Sequence, residues 1–259
     1  MPVLYELDAD ERPMVFPPLQ CAWGADTPAP GLLAQGGDLS VERLKLAYGQ
    51  GIFPWFGQGE RILWWSLDPR MVLYPQKVRL SRSLRKTLKR FVVSEHCEIR
   101  VDTDFKAVVK QCAEISRKGQ DGTWISSDII EAYTQLHQQN VAHSFETWMD
   151  GELVGGLYGV NIGGMFYGES MFSKRVDASK LAFCGLMAFS LYHGIELVDC
   201  QQETAHLMSL GACVIPRNLF MEEMKLAQGK ADPVWESGRL SDVCWQCLMY
   251  GEVVYNLEI

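Results

Sequence analysis

The sequence predicts an α+β fold organised around a mixed, mainly antiparallel sheet. Asp150 and Gly151 separate two runs of aromatic and β-branched residues, and Asp-Gly favours the two-residue loop of a type I′ hairpin. A second turn at 162–165 extends the hairpin into a meander, and the glycine pair 155–156 predicts a bulge. An almost wholly apolar run over 178–192 then predicts a buried helix. The predicted strands are 143–149, 152–161 and 165–172.

The chain begins with little predicted regular structure. Residues 1–30 are rich in proline and lack hydrophobic periodicity, so we expect an irregular N-terminal arm. Ser40 then caps a predicted helix, because apolar residues recur at helical spacing from 41 to 48. Gly49 or Gly51 ends this helix.

Three tryptophans follow within eleven residues. Aromatic side chains dominate protein cores, which favours Trp64 and Trp65 as the core of a small domain. Trp55 differs, because it lies in a proline-containing turn at 52–56 that can present a side chain at the surface. Trp55 is therefore a candidate for binding.

A strongly basic segment interrupts an acidic chain. The net charge is −8, yet residues 69–94 contain eight basic side chains and no acidic one. Ser81 caps a predicted helix over 81–91 with one basic and one apolar face. A merely solvated face usually mixes charges, so this helix indicates a phosphate-binding surface. Its basic face consists of Arg82, Arg85, Lys86, Lys89 and Arg90.

Two further helices are predicted before the meander. The first begins at Thr103 or Asp104 and has the amphipathic pattern of a helix packed on a sheet. The second begins at Asp128, with Glu131 three residues later as in a capping box, and it carries Tyr133. From the pattern alone, Tyr133 fits a core position as well as a functional one.

Polar residues follow the buried helix at the end of a predicted strand. Asp177 and Gly194 bound the helix, and the strand runs over 196–202. Side chains two residues apart on a strand share a face, so we expect Asp199 and Gln201 to point the same way. A carboxylate and an amide thus meet at the open end of the sheet.

These residues, with Glu169, are the candidates for catalysis. A glutamine amide is not basic, so Gln201 can only orient an amine, whereas Asp199 can polarise that amide or take a proton itself. The sequence leaves both roles of Asp199 open. Glu169 follows a glycine where the meander ends, and an ordinary buried ion pair is its alternative interpretation. Cys200 alternates away from Asp199, which favours a core thiol over a nucleophile.

The end of the chain predicts a strand at 214–216, a helix at 219–227 and an edge strand within 252–257. Most of the eight cysteines lie in apolar segments, which favours reduced thiols over disulfides. The CxxC pair at 244–247 lacks two further ligands at suitable spacing, so we expect no metal site. No segment resembles a signal peptide or a membrane span, which predicts a cytoplasmic protein.

Several short motifs together resemble the leucyl/phenylalanyl-tRNA protein transferases, over about residues 31–227. The resemblance implies a small N-terminal domain followed by an acyltransferase-like domain of the acetyltransferase (GNAT) type. Its activity would be transfer of Leu or Phe from aminoacyl-tRNA to proteins with N-terminal Arg or Lys, which marks them for degradation. The motifs are GLLAQGGDLS (31–40), GIFPWF (51–56), ILWWS (62–66), TWI (123–125), GESMFS (168–173), VDCQ (198–201) and SLGA (209–212).

The resemblance also implies the organisation of the site. It assigns Trp55, Trp124, Tyr133 and Ser170 to the substrate site and the basic helix to tRNA binding, with no cofactor. We expect a monomer with an N-terminal domain over 1–75, a transferase domain over 76–228 and a tail of unknown role over 229–259. Apolar residue types further suggest a side-chain pocket, although core packing would use the same residues, and such a pocket would admit some Met. The suggested wall is Leu157, Phe166, Phe183 and Leu186.

Other function classes remain open from the sequence. A coenzyme-A-dependent N-acetyltransferase would need a glycine-rich turn entering the buried helix, and residues 173–180 contain no glycine. A non-enzymatic tRNA-binding module would need only the basic helix and would leave Glu169, Asp199 and Gln201 without a role. A cysteine hydrolase is the weakest alternative, because no Cys/His pairing is visible in the spacing of the five histidines.

Overall fold

The computed structural model describes residues 3–115 and 125–250. These residues form two sheets surrounded by helices. The strands are β1 (Tyr5–Leu7), β2 (Leu32–Gly36), β3 (Phe53–Pro54), β4 (Leu63–Trp65), β5 (Arg70–Leu73), β6 (Cys97–Val101), β7 (Ala142–Met149), β8 (Glu152–Ile162), β9 (Met165–Ser173), β10 (Leu197–Gln201), β11 (Cys213–Ile215) and β12 (Gly238–Arg239). The helices are α1 (Val41–Gly49), α2 (Arg82–Val92), α3 (Phe105–Glu114), α4 (Ser127–Gln138), α5 (Ala178–His193), α6 (Ala205–Ser209), α7 (Arg217–Gln228) and α8 (Asp242–Tyr250).

The larger sheet is mixed and mainly antiparallel, as predicted. Its eight strands lie in the order β11-β5-β10-β9-β8-β7-β6-β12. Strands β7, β8 and β9 form the expected antiparallel meander, and β10 then lies parallel to β9. The hairpin and meander predictions are therefore confirmed.

Strands β9 and β10 separate partway along the sheet. Their parallel pairing ends where Asp199 lies beside Tyr167, although β9 continues to Ser173. A bulge follows Asp199 on β10, and Gln201 has a positive φ of 52°. This left-handed residue turns the end of β10 out of regular strand geometry. The two diverging strands leave an opening beside residues 168–173 of β9.

Helices cover both faces of the larger sheet. On one face, α5 packs with α2 and α8 over a core that includes Phe145 and Phe166. On the other face, α3, α4 and α7 share a second core with α1 and the smaller sheet, including Trp64 and Tyr167. Both faces of the sheet are thus withdrawn from water, and even the polar side chains of β7, such as Ser144 and Thr147, are buried.

Helix α5 is the buried helix expected from its apolar run. Gly194 ends it in a left-handed conformation, as predicted. Asp177 occupies the N-cap position but makes no capping hydrogen bond, because its carboxylate binds Lys180 Nζ at 2.7 Å instead. Within the part of the chain that the structure describes, no helix is both long and apolar enough to cross a bilayer.

The other predicted helix starts agree with the structure, except those of α4 and of α7, which begins at Arg217 and not at Leu219. Ser81 and Asp104 cap α2 and α3 through their side-chain oxygens. The predicted cap of α4 was wrong by two residues, because Ser126 makes the capping bond and Asp128 lies in the first turn. Both residue types serve as caps, so the sequence signal alone did not separate them.

The smaller sheet has the strand order β1-β2-β4-β3. Strand β1 pairs parallel with β2, so the prediction of an irregular arm was wrong for residues 5–7. A three-residue edge strand is too short to produce a hydrophobic period. Strand β5, although it lies before residue 76, pairs with β10 and β11 in the larger sheet.

The C-terminal tail completes the larger sheet and its core. Strand β12 pairs with β6, and α8 packs on α5. Trp235 stacks on the His143 ring with centroids 3.6 Å apart, and its Nε1 donates to Asn161 Oδ1 at 3.1 Å. The edge strand predicted within 252–257 lies outside the described residues.

Gly155 allows a close approach between β8 and α5. A Cβ at this position would lie 2.6 Å from Ala178 Cβ, and the register shifts beside it, next to Thr147. We expect Gly155→Ala to lower the free energy of unfolding by about 1–3 kcal/mol, because overpacking displaces the helix start. Urea unfolding measures the change against Gly24→Ala, whose added Cβ meets nothing within 4 Å. Equal stability of the two variants would contradict this packing argument.

Candidate active site

A cavity of about 1040 Å³ occupies the opening between β9 and β10. One wall comes from β3, β4 and the turn between them and carries Trp55 and Trp65. The other wall comes from β8, β9, β10, α5 and α6 and is partly apolar. Pockets for one small ligand commonly measure about 300–1,000 Å³, so this cavity has room for the reacting ends of two substrates.

The aromatic wall is held by hydrogen bonds as well as packing. Trp65 Nε1 donates to the Trp55 carbonyl oxygen at 2.6 Å, and the two rings lie 5.3 Å apart between centroids. Trp55 lines the cavity, as expected for a binding residue. Trp64 is fully buried in the core, as predicted, whereas Trp65 is both buried and part of the cavity wall.

Glu169 lines the cavity and is held by two buried tyrosines. Tyr48 Oη donates to Glu169 Oε1 at 2.8 Å, and Tyr133 Oη donates to Oε2 at 3.1 Å. The two tyrosine hydroxyls also contact each other. Burial raises the pKa of Glu169 to about 7, although the tyrosine hydrogen bonds oppose that shift. Near neutral pH this carboxyl group therefore exists in both protonation states.

Asp199 is fully buried and bound to Arg70. Arg70 Nε donates to Asp199 Oδ1 at 2.8 Å, and Nη2 donates to Oδ2 at 2.6 Å. The guanidinium group lies 4.6 Å from the Phe53 ring centroid and 4.7 Å from that of Phe220. This geometry neutralises the carboxylate and fixes it in place.

Gln201 connects this ion pair to Glu169. Its backbone N–H donates to Asp199 Oδ1 at 2.9 Å, and its side-chain Nε2 donates to Glu169 Oε1 at 3.4 Å. Asp199 therefore contacts the backbone of Gln201 instead of polarising its amide group. The bond to the backbone supports the positive φ of Gln201, which non-glycine residues rarely adopt. Gln201 lines the cavity between the two carboxylates.

The apolar wall contains three of the four expected residues. Leu157, Phe183 and Leu186 line the cavity, and Ser170 lies beside them. Phe166 does not line it, because its fully buried ring packs below against Phe145 and Trp235. Its position on β9 precedes the point at which the strands diverge.

Tyr133 and Trp124 were also expected in the substrate site. Tyr133 acts through its hydroxyl group on Glu169, and its ring is fully buried away from the cavity lining. Trp124 lies outside the described residues.

Cys200 also lines the cavity, but burial raises the pKa of its thiol, with Asp199 adding to the shift. A thiol held protonated is a poor nucleophile, which agrees with a non-catalytic Cys200, although the residue lies at the cavity wall and not in the core.

The basic face of α2 is exposed, while Leu84, Leu88 and Phe91 anchor the helix in the core. Across the described part of the chain, none of its five cationic side chains forms an ion pair with a carboxylate. Arg85 Nε donates only to the Leu80 carbonyl oxygen. An unneutralised cationic surface of this kind attracts polyanions. Its members are Arg82, Arg85, Lys86, Lys89 and Arg90.

One group of possible metal ligands occurs among the described residues. It contains Asp102, His137 and His143, whose ligand atoms lie within 4.8 Å of one another. These atoms already bind within the protein, since His143 Nδ1 lies 2.7 Å from Asp102 Oδ2 and His137 Nδ1 lies 2.8 Å from the Ala142 carbonyl oxygen. None of the three histidine and aspartate residues lines the cavity.

Sequence reasoning missed two residues of the site. Tyr48 was interpreted only as part of the apolar face of α1, and Arg70 only as one basic residue of a long segment. Tyr48 and Glu169 are 121 positions apart, and Arg70 and Asp199 are 129 apart. A tyrosine near a helix end and an arginine in a strand give no local signal for partners at such separation.

A polar centre between an aromatic and an apolar wall suits an acyltransferase, and the exposed cationic face of α2 suits a nucleic-acid-linked donor. The model of the family Leucyl/phenylalanyl-tRNA protein transferase matches residues 72–225, and the model of that family's N-terminal domain matches residues 37–68. The chain belongs to this family.

Relatives that carry the name leucyl/phenylalanyl-tRNA–protein transferase cover most of the chain. The protein of Leptothrix cholodnii is 57% identical over 218 residues, which are 84% of this chain and 84% of that protein. That of Cupriavidus necator is 58% identical over 212 residues, 82% of this chain and 85% of that protein. Among solved structures, L-PGS from Bacillus licheniformis is 16% identical with a TM-score of 0.39, covering 77% of this chain and 64% of the other.

Proposed function

We propose that this enzyme transfers Leu or Phe from aminoacyl-tRNA to the α-amino group of proteins that begin with Arg or Lys. The observation that carries the proposal is the contact of Gln201 with Glu169 inside a cavity that also has an apolar wall. The modification would generate a degradation signal, as the resemblance of the chain to this family implies. Ionised Glu169 in this cavity would also favour a cationic acceptor.

The donor occupies the cavity with its amino-acid side chain against the apolar wall. Leu157, Phe183 and Leu186 supply this surface, and an apolar pocket distinguishes side chains by only about 1–3 kcal/mol per methylene. Some transfer of Met is therefore expected. Trp55 offers a flat ring on which the terminal adenosine of tRNA can stack.

The acceptor amine attacks from the side of Glu169. Its nitrogen forms a bond to the ester carbonyl carbon, and the bond from that carbon to the ribose oxygen breaks. Ionised Glu169 takes the proton from nitrogen and returns it to the leaving oxygen. Gln201 orients the amine through its amide oxygen, since its Nε2 is directed at Glu169. Asp199 acts as a positioning residue, because Arg70 occupies both of its oxygens.

The reaction requires alignment more than activation. An ester is already reactive, and a free α-amine with a pKa near about 8 is partly neutral at pH 7. Holding the two reacting atoms together can supply roughly 7 kcal/mol or more. The polar centre then needs to contribute only the proton transfer.

Transfer to defined peptides tests the acceptor class. Radiolabelled Leu and Phe on tRNA are offered to a peptide beginning with Arg, to the same peptide beginning with Asp, and to its N-acetylated form. We expect labelling of the Arg peptide, little of the Asp peptide and none of the acetylated peptide. Equal labelling of the Arg and Asp peptides would refute the proposed acceptor class.

The basic face of α2 is proposed to bind the tRNA backbone. Because each phosphate contact releases counterions, the double variant Arg82→Glu/Lys86→Glu should bind tRNA more weakly. The slope of log Kd against log salt concentration should fall by about 2, roughly one for each cation removed. Filter binding over a salt series measures both quantities.

A matched control keeps this experiment specific. Lys106→Glu/Lys110→Glu reverses two exposed charges on α3, which packs on the opposite face of the sheet. We expect this control to bind tRNA nearly as well as the unmodified enzyme. Equal weakening in both variants would mean that net charge, and not the α2 surface, sets the affinity.

We also propose the finer features of the architecture. The divergence of β9 and β10 supports a GNAT-type transferase domain. The matches to residues 37–68 and 72–225 support a domain boundary near residue 70, slightly before the predicted one, and β5 agrees with it. A monomeric, cytoplasmic enzyme acting without a cofactor fits a reaction whose donor is already activated.

A further inference from the structure

Glu60 places a second carboxylate on the cavity wall, on a different element from Glu169. It lies in the turn between β3 and β4, is exposed, and lines the cavity. Among the described residues, Glu60 and Glu169 are the acidic side chains of the lining. Glu169 is engaged by Tyr48 and Tyr133, so Glu60 has no part in that hydrogen-bonded group.

The turn fixes the position of this carboxylate. Glu60 Oε2 accepts a hydrogen bond from the Gly57 backbone N–H at 2.7 Å. A Cβ on residue 57 would lie 2.9 Å from both Cδ and Oε2 of Glu60, so a glycine is needed for this approach. A carboxylate can accept several hydrogen bonds, and Oε1 is left to accept others.

The negative charge of Glu60 is not neutralised by its cationic neighbour. Arg61 Nη1 binds Glu6 instead, at 2.9 Å from Oε1 and 3.0 Å from Oε2. Within the described ranges, Glu60 forms no ion pair of its own. Its charge therefore remains available to a ligand in the cavity.

Cationic side chains adjoin the opposite wall of the cavity. His206 on α6 lines this wall, and burial lowers the pKa of its imidazole toward the neutral form, with the positive charge of nearby Lys180 adding to the shift. The end of α6 adjoins the basic segment, because Arg79 N donates to the Leu210 carbonyl oxygen at 2.8 Å. An anionic tRNA is thus favoured on the α6 side, and a cationic group on the Glu60 side.

We propose that Glu60 recognises the cationic side chain of the acceptor's first residue. This inference rests on the proposed function and names the residue that would set the acceptor class. One carboxylate oxygen held by the turn and one left open can bind either a guanidinium or an ammonium group. Acceptors beginning with Arg and Lys would then share one recognition residue.

Glu60→Gln tests this role without disturbing the turn. The amide oxygen of Gln can still accept from Gly57 N–H, so the change removes charge alone. We expect the KM for an Arg-initiated peptide to rise roughly three- to tenfold, since an ion pair in a partly open cavity is weaker than a buried one. The kcat, and the KM for Leu-tRNA, should stay unchanged. Glu60→Lys should raise the peptide KM further and bring it toward that of an Asp-initiated peptide.

Two comparisons distinguish a failure of the proposed acceptor class from a failure of the role proposed for Glu60. Glu222→Gln, on an exposed position of α7 outside the cavity lining, is the matched control and should behave as the unmodified enzyme. If the unmodified enzyme does not prefer the Arg peptide over the Asp peptide, the proposed acceptor class fails, and this inference fails with it. If that preference exists and survives in Glu60→Gln, or if only the KM for Leu-tRNA changes, Glu60 is not the recognition residue and the proposed function still stands.

Discussion

Glu169→Gln is expected to lower kcat for transfer by roughly 100- to 1000-fold, the usual effect of removing a proton acceptor. The amide keeps the size of the carboxyl group and can still bind Tyr48 or Tyr133, but it cannot take a proton at neutral pH. Because tRNA binding depends on a different surface, the Kd for aminoacyl-tRNA should change little. Single-turnover transfer with pre-bound Phe-tRNA measures the chemical step directly.

The pH dependence should identify Glu169 more specifically. Its pKa is raised to about 7 by burial, so the ionised, proton-accepting form increases as the pH rises through that value. The acceptor amine also loses its proton, with a pKa near about 8. Log kcat/KM for the peptide should therefore rise with a slope of about 2 below pH 7 and about 1 between pH 7 and 8, because two groups titrate in turn. In Glu169→Gln the slope should be about 1 at every pH below about 8, because only the amine titrates.

The raised pKa of Glu169 also predicts how Glu169→Gln changes the stability of the folded enzyme. A carboxyl group whose pKa is raised in the folded state disfavours folding once the pH exceeds its unfolded pKa, about 4.3. The penalty grows until the pH passes the folded pKa near 7. Glu169→Gln should consequently be at least as stable as the unmodified enzyme at pH 8. A loss of activity that accompanies a loss of stability at pH 8 would contradict the catalytic role.

Breaking the Arg70–Asp199 pair should cost the most stability. Both side chains are fully buried, and removing either leaves an uncompensated charge, which usually costs about 3–5 kcal/mol. We expect Arg70→Met and Asp199→Asn each to lower the free energy of unfolding by that amount at pH 7. Urea unfolding gives the values, with Arg82→Met on the exposed face of α2 as a control within about 0.5 kcal/mol of the unmodified protein.

The double variant distinguishes positioning from a purely structural role. Arg70→Met/Asp199→Asn leaves no buried charge, so it should recover most of the lost stability. It should still transfer slowly, because the bond from Asp199 to the Gln201 backbone is weakened and the amide group is less well held. A double variant that regains both stability and full kcat would show that the ion pair only supports the fold.

Local patterns predicted those parts of the fold that depend on neighbouring residues. The Asp150–Gly151 turn, the meander and the two faces of α2 were predicted because turn chemistry and periodicity are visible in short windows. The pairing of β5 with β10 and β11 was not predicted, since it joins segments more than 120 residues apart. Strand β12 and α8 were also missed, because a two-residue strand and an isolated short helix carry little signal.

The candidate site was predicted in composition but not in arrangement. Asp199, Gln201 and Glu169 were expected near one another, and the structure links them in a chain of hydrogen bonds. Simple alternation along a strand could not foresee the bulge after Asp199 or the left-handed Gln201. Nor could it predict that Arg70 binds both carboxylate oxygens of Asp199. Because those oxygens are engaged, Glu169 is the proposed proton acceptor.

The central claim is that the polar centre between β9 and β10 joins an amino acid from tRNA to a protein α-amine. The most direct measurement is one turnover of Phe-tRNA with an Arg-initiated peptide, in which released tRNA and acylated peptide are counted together. We predict that the unmodified enzyme forms one Phe-peptide for each tRNA deacylated, and that Glu169→Gln binds Phe-tRNA with equal affinity but forms the product at least about 100-fold more slowly. Deacylation without peptide product, or full transfer by Glu169→Gln, would contradict the account.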